Sequence, residues 1–497
     1  MLFNSLQFLI FFPIVLLIYY FIPHKARKYW PLVCSYYFYM CWNAKYALLI
    51  LFSTVVTYLS GRALQKAKEC SDDEMRLRRR KRAIVAISLV LNLAVLFFFK
   101  YSNFVVDTLV SAFGLFHVTL NIPRFDFVLP VGISFYTFQA LSYTIDVYRD
   151  EIRAEKSFVT YALFVSFFPQ LVAGPIERSK QLLGQLHAVH KLEYDNLREG
   201  LLLMYWGFFM KVVLADRIAI YVSTVYEYYF VYSGMYIVVA MFLFAIQIYC
   251  DFAGYSTIAM GAAKMLGITL MENFDAPHLS LSIAEFWRRW HISLSSWFRD
   301  YLYIPLGGNR KGRLRKYINI MIVFLVSGLW HGADFTYVIW GGLHGIYQIA
   351  GELLKPVRDL GVRLLHINRD SEGHKLFKMG VTFTLVAFAL VIFRSAGARN
   401  AFDIIRSMFV FNPWVMVDGS LYACGLSQKS FWLMLLCIGI LLASDICKYH
   451  HICIRKLILK QDCYIRWAVF ALVPVLLLVF GIWGEGYDAG SFIYFQF

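Results

Sequence analysis

Long apolar stretches alternate along the chain with short polar or basic segments. After a first stretch within MLFNSLQFLIFFPIVLLIYYFIP, further apolar windows lie near 30–42, 46–61, 83–100, 125–149, 157–173, 197–215, 217–252, 254–269, 317–330, 335–352, 378–395, 430–447 and 466–483. Several are shorter than the ~20 residues a clean span needs, or are rich in Gly, Pro and polar residues. The pattern predicts on the order of a dozen or more helices, some broken, re-entrant or lying in the membrane plane. Irregular backbone at membrane depth persists only where protein or a water-filled cavity surrounds it, so a funnel or tunnel is expected. The polar stretches 62–82, 174–196 and 353–377 are loop-sized, and no composition break or internal repeat divides the chain. The expected architecture is an all-α polytopic membrane protein, one domain over 1–497 with a short extracytoplasmic tail, 484–497.

Composition closes off the other classes. Hydrophobic residues make up 60% of the 497, aromatic residues 18% and charged residues only 16%. A soluble enzyme, a disordered scaffold and a coiled coil are excluded, since no such chain could present a wettable surface. The formal charge is +16, from 48 Lys and Arg against 32 Asp and Glu. Basic residues gather in cytoplasmic loops of membrane proteins, and no nucleic-acid-binding signature accompanies them here. Lys25, Arg27 and Lys28 follow the first stretch, and a basic run from Arg62 to Arg82 follows two further crossings. Both fall inside if the N-terminus is outside. The first stretch lacks the basic leader and small-residue cleavage site of a signal peptide, so it is expected to be a retained helix. The nine cysteines are scattered, without CxxC spacing, and no histidine set has the spacing of a zinc site.

Three segments carry polar residues that an apolar chain must justify. In 284–316, AEFWRRWHISLSSWFRDYLYIPLGGNRKGRLRK, helical spacing puts Phe286, Trp290, Ser293, Trp297 and Tyr301 on one face and Arg288, His291, Ser295 and Arg299 on its neighbour. Such a helix fits an interfacial anchor; aromatic rings with arginines also suit an adenine ring and its phosphates. His331 lies 15 residues beyond the basic end at Lys316, about 22 Å along a helix. An ionisable group at that depth is a functional candidate. Gly328 and Gly332 beside it would admit a substrate chain, and His344 stands on the returning arm of the hairpin. Asp251, in QIYCDFAGYS, either orients a histidine or pairs with a cation, and Glu177 is expected to pair with Arg178 at a helix end.

The motifs FWRRWHISLSSWFRDYLYIPLGGNR (286–310) and SGLWHG (327–332) resemble bacterial membrane-bound O-acyltransferases of the alginate O-acetyltransferase type. The D-alanyl transfer subunit of the teichoic-acid system is more distantly similar. PVGISFYTFQALSYTIDVYR (130–149), FPQLVAGPIER (168–178) and QIYCDFAGYSTIAMGAAKMLG (247–267) share the likeness, which runs the length of the chain. Ala253 and Thr257 depart from it where relatives often show Ser and Asp. The resemblance implies a helical bundle around a tunnel from cytosol to exterior. Through it an acyl group, usually acetyl from coenzyme A, would reach an extracytoplasmic acceptor. It places the active-site histidine at His331 and a second at His291. Deprotonating a hydroxyl and stabilising an oxyanion on a thioester needs a neutral histidine and no metal.

The expected function is therefore acetyl-CoA-dependent O-acetylation of an exported or cell-wall polysaccharide, in a bacterial inner membrane with both termini outside. An extracytoplasmic SGNH-hydrolase-like acetyltransferase would be the partner. A polysaccharide transporter or flippase is the competing reading; it would call for cavity carboxylates and repeats. Arg288, Arg289, Trp290, Trp297 and Arg299 are expected to border the coenzyme A entrance, with Asp251 and His344 supporting the histidines. The ending, FIYFQF, fits an aromatic-belt segment, but it also resembles an aromatic C-terminal motif whose tyrosine is proposed to carry the acyl group. That role would fall to Tyr494.

Overall fold

The computed structural model describes residues 1–70, 73–125, 129–172 and 174–483, and in these it is all-helical. Six helices are long and apolar enough to cross a membrane: Ala44–Glu69, Glu74–Lys100, Met235–Met265, Glu372–Arg394, Gln428–Tyr449 and Cys463–Phe480. Many of the other windows form shorter helices, such as Tyr29–Met40 with 12 residues.

Two boundaries differ from the sequence pattern. The basic run near 62–82 is largely helix, because Ala47–Glu69 and Glu74–Lys100 extend into it from both sides. Arg and Lys are good helix formers. Asp73 caps the second helix, accepting from the amides of Met75 and Arg76, and Glu74 pairs with Arg78 one turn on. The split expected at 252–254 is also absent. Met235–Met265 runs unbroken through it, and the break falls at 228–234, where Gly234 adopts φ +63° and Asn412 accepts from the Met235 amide. Gly254 continues the helix because a Cβ there would lie 2.9 Å from the Gly207 carbonyl oxygen; the glycine permits close packing rather than a break.

Residues divide into two compact units: 1–204 with 258–271, and 205–257 with the described residues from 272 onward. The first is organised on Ile133–Tyr148, in which all residues but Ile145 and Tyr148 are buried. Its neighbours meet it and one another through small and hydroxylated residues. Tyr161 donates to Thr57 at 2.7 Å, Ser53 to Asn92 at 2.6 Å, and Gly61 leaves room for the Tyr143 ring. At one end of this unit Lys68 and Lys81 flank Asp150, and the hydrogen bond from Lys68 holds that carboxyl below the usual range.

Glu177, also in this unit, is buried. It accepts from the Met271 amide at 2.6 Å, and burial, only partly offset by that bond and by the charge of Arg178, pushes its carboxyl up to about 7.

The second unit contains a hairpin of two 19-residue helices, Arg313–His331 and Phe335–Leu353, with Asp334 capping the second. Glycines set its spacing. A Cβ on Gly341 would sit 2.2 Å from the Phe324 carbonyl oxygen, and one on Gly328 would sit 2.2 Å from that of Tyr337. A Cβ on Gly332 would sit 2.0 Å from the Tyr337 ring. Gly328 and Gly332 thus seat Tyr337 and the partner helix, which corrects the expectation that they make room for substrate. Gly341→Val should lower the stability of the purified protein by about 1–3 kcal/mol through overpacking. Gly342→Val, whose Cβ would meet only Leu325 at 3.5 Å, should unfold near the wild-type temperature in the same detergent melt.

Candidate functional site

The segment expected as one helix from 284 is two short ones, Ile283–Arg289 and Ile292–Phe298, followed by a π-helical turn at Arg299–Tyr303. The break is at His291, whose backbone is left-handed (φ +45°, ψ +54°). A non-glycine residue keeps that conformation only where its surroundings impose it. Asn273 does so from 18 residues upstream. Its carbonyl accepts from the Ile292 amide at 3.0 Å and its side-chain oxygen from the Ser293 amide at 3.1 Å. The Asp275 amide bonds the Arg289 carbonyl on the other flank at 2.9 Å. The bend turns the His291 ring inward, fully buried, edge-on to Phe252 at 4.7 Å and 6.2 Å from the Trp330 ring.

His331 is the last residue of its helix and is 6% exposed. Trp330 at 4.9 Å, Trp340 at 5.1 Å and Phe393 at 5.6 Å enclose its ring on three sides. Trp340 also lies 5.0 Å from the His344 ring. His344 Nδ1 accepts from the Trp287 indole at 3.2 Å. Since tryptophan can only donate, this bond requires an unprotonated Nδ1. The structure therefore gathers His291, His331 and His344 into one aromatic cluster linked through Trp330 and Trp340. The hairpin, the bend at 291 and helix Glu372–Arg394 supply its members.

Beside this cluster is a cavity of about 360 Å³. Arg288, Arg299 and Lys316 contribute cations to its wall; Trp287, Phe324 and Ser327 contribute the parts nearest the histidines. Trp287 and Phe324 touch the His344 ring, and Ser327 is about one helical turn before His331. Lys316 is paired with Glu352 and Arg299 with Asp300, whereas Arg288 has no acidic partner among the described residues.

The other residues expected at this border are placed elsewhere. Arg289 is held by Asp275 at 3.1 Å and Glu285 at 3.0 Å and lies over Tyr449. Trp290 is buried, stacked on Phe286 and edge-on to Phe274; Trp297 is buried against Tyr301 and Phe298. These three are outside the cavity lining: Arg289 is held by its two carboxylates, and both tryptophans are packed against neighbouring rings. Asp251 pairs with Lys211 at 2.7 Å, and Lys211 also binds Asp216 at 2.8 Å, all three buried. Tyr494 lies outside the described residues. Among the described residues no group of three or more His, Cys, Asp or Glu is placed to hold a metal ion.

Sequence reasoning missed Asn273, Lys211 and the Trp287–Trp330–Trp340 frame. The available signals were a lone Asn in MENFDAP, a lone Lys in FFMKVVLAD, and tryptophans one residue before and nine after His331.

The family model described as membrane-bound O-acyltransferase matches residues 147–360, which include all three histidines and the cavity. The chain is 39% identical over 423 residues to a probable alginate O-acetylase of Pseudomonas aeruginosa, a match covering 84% of this chain and 76% of that protein. It is 32% identical over 448 residues to a peptidoglycan O-acetyltransferase of Helicobacter pylori, covering 83% and 80%. A teichoic acid D-alanyltransferase of Bacillus subtilis is 28% identical over 284 residues, 54% of this chain and 70% of that one. Taken with the apolar helices, these matches make the chain a multi-pass membrane protein that belongs to the membrane-bound O-acyltransferase family.

Proposed function

We propose that this O-acyltransferase passes acetyl from cytosolic acetyl-coenzyme A across a bacterial inner membrane for O-acetylation of an exported or cell-wall polysaccharide. The observation that carries the reading is the cation-lined cavity running beside the aromatic cluster that holds His331 and His344. The names of the relatives, which act on alginate and peptidoglycan, support a polysaccharide acceptor. Arg288 and Arg299 would bind the donor's phosphates, a task that suits guanidinium groups.

In the transfer, His331 takes the proton of the acceptor hydroxyl as its oxygen attacks the thioester carbonyl. The tetrahedral intermediate collapses, the carbon–sulfur bond breaks, and the departing thiolate recovers a proton from the imidazolium. The enclosing rings exclude water, which would otherwise compete as acceptor. His291 lines the same cluster and would orient the reacting groups. The positive-inside pattern supports a donor end in the cytosol and both termini outside. Tyr494 would accept acetyl as an aryl ester, since a phenol with an ordinary pKa near 10 leaves more readily than an alcohol. An SGNH-hydrolase-like extracytoplasmic partner would then move it to the glycan.

Three outcomes test this. His331→Ala should reduce transfer of radiolabelled acetyl by about 10²–10⁴-fold while the purified variant keeps its melting temperature; unchanged transfer would remove His331 from the chemistry. Arg288→Ala combined with Arg299→Ala should raise the KM for acetyl-CoA about tenfold or more with a smaller change in kcat, whereas Arg289→Ala should chiefly lower stability. Mass spectrometry after incubation with acetyl-CoA should find acetyl on Tyr494, and Tyr494→Phe should abolish polysaccharide acetylation. Normal acetylation by that variant would reduce the tail to an anchor.

A further inference from the structure

The first unit contains a second cavity, of about 260 Å³, at its basic end. Several contacts define that end. Lys68 and Lys81 bind Asp150, His187 bonds Glu155 at 2.7 Å, and Arg27 donates to the His190 carbonyl at 2.5 Å. These draw the loop after the first helix, the basic helix ends and the loops near 150–157 and 187–190 into one layer.

The walls differ in character. Lys25, Arg27, Lys28, Ser157 and Thr160 contribute polar groups, and Tyr19, Leu163, Phe167 and Leu266 contribute an apolar floor. Lys25 and Lys28 have no acidic partner among the described residues, and the nearby Glu155 is engaged by His187. Arg27 spends its terminal nitrogens on the carbonyls of His190, Tyr20 and Ile22. Its Nε–H is buried and has no acceptor among the described residues. A cavity walled by a guanidinium and two ammonium groups without acidic partners, Lys28 lying over the Tyr29 ring, calls for an anion. The surrounding surface is apolar: Leu17, Phe21, Val189 and Leu192 are all exposed, Phe21 at 84%. In a membrane protein such residues face acyl chains.

We propose that this cavity binds the phosphate of an anionic phospholipid headgroup. Lys25 and Lys28 contact the phosphate, Ser157 the glycerol side, and the acyl chains lie along Leu17 and Phe21. Basic pockets between helices on the cytoplasmic side are suited to such headgroups. The site shares no residue with the aromatic cluster and does not depend on which acyl group is transferred.

Native mass spectrometry of the full-length protein in neutral detergent tests it, with dioleoylphosphatidylglycerol and dioleoylphosphatidylcholine as probes. The wild type should retain phosphatidylglycerol about tenfold more tightly than phosphatidylcholine, and Lys25→Ala with Lys28→Ala should remove most of that difference. Lys25→Arg with Lys28→Arg should keep it, as should Arg79→Ala with Arg80→Ala, which removes as much charge outside the cavity. Excess inorganic phosphate should leave the lipid bound. Should the double alanine variant fold poorly, Lys25→Gln and Lys28→Gln singly should each reduce the difference. Equal retention of the two lipids overturns the proposal. So does an equal loss in the Arg79 and Arg80 variant, which would mean diffuse attraction, or displacement by inorganic phosphate, which would mean a soluble ligand.

Discussion

Inside a bilayer there is no water to bond an exposed backbone amide, so any departure from helix must be bonded by the protein itself. The bend at His291 depends on this constraint. Two bonds from Asn273 hold the amides immediately after it, and the Asp275 amide holds the carbonyl two residues before it. The loop carrying Asn273 and Asp275 is fixed in turn by Lys448, which bonds the Phe274 carbonyl and reaches Glu272. One buried asparagine therefore decides where the ring of His291 points, and so where Trp330 and His331 find their neighbour.

The same constraint governs the charges. Lys211 lies in a π-helical segment, Phe209–Ala215, where the wider turn accompanies its contacts with both Asp216 and Asp251. An unpaired ammonium at that depth would be very costly. Between two carboxylates it becomes a fixed joint between helix Met235–Met265 and the segment before Asp216. Phe252, next to Asp251, presses on His291. Asp251 thus adjoins the histidine cluster through the packing of Phe252 and is paired with a lysine.

Much of this was legible in the sequence, and the failures share a cause. Apolar windows reveal helices because burial is local to each helix face. The histidine hairpin could be placed because Lys316 and Lys355 mark its ends by charge. Helix ends within the Arg-rich run were hidden, since arginine and lysine favour helix whether or not lipid surrounds them. The bend at His291 was hidden because its cause lies 18 residues away, in a loop without regular periodicity. Arg288 and Arg289 look equivalent as letters and face different surroundings; only the helix phase separates them. Glycines near a candidate base invite a substrate reading, although in a tightly packed hairpin they serve the facing backbone.

The indole bond to His344 also has a direction. Tryptophan cannot accept at that nitrogen, so His344 keeps its single ring hydrogen on Nε2, on the side of the ring away from Trp287. To take a second proton it would have to give up the half-buried indole N–H. In this tautomer the Nε2–H of His344 is a donor, and Nδ1 is already occupied as an acceptor. Two histidines share Trp340, and the indole that orients one of them comes from another tryptophan, Trp287.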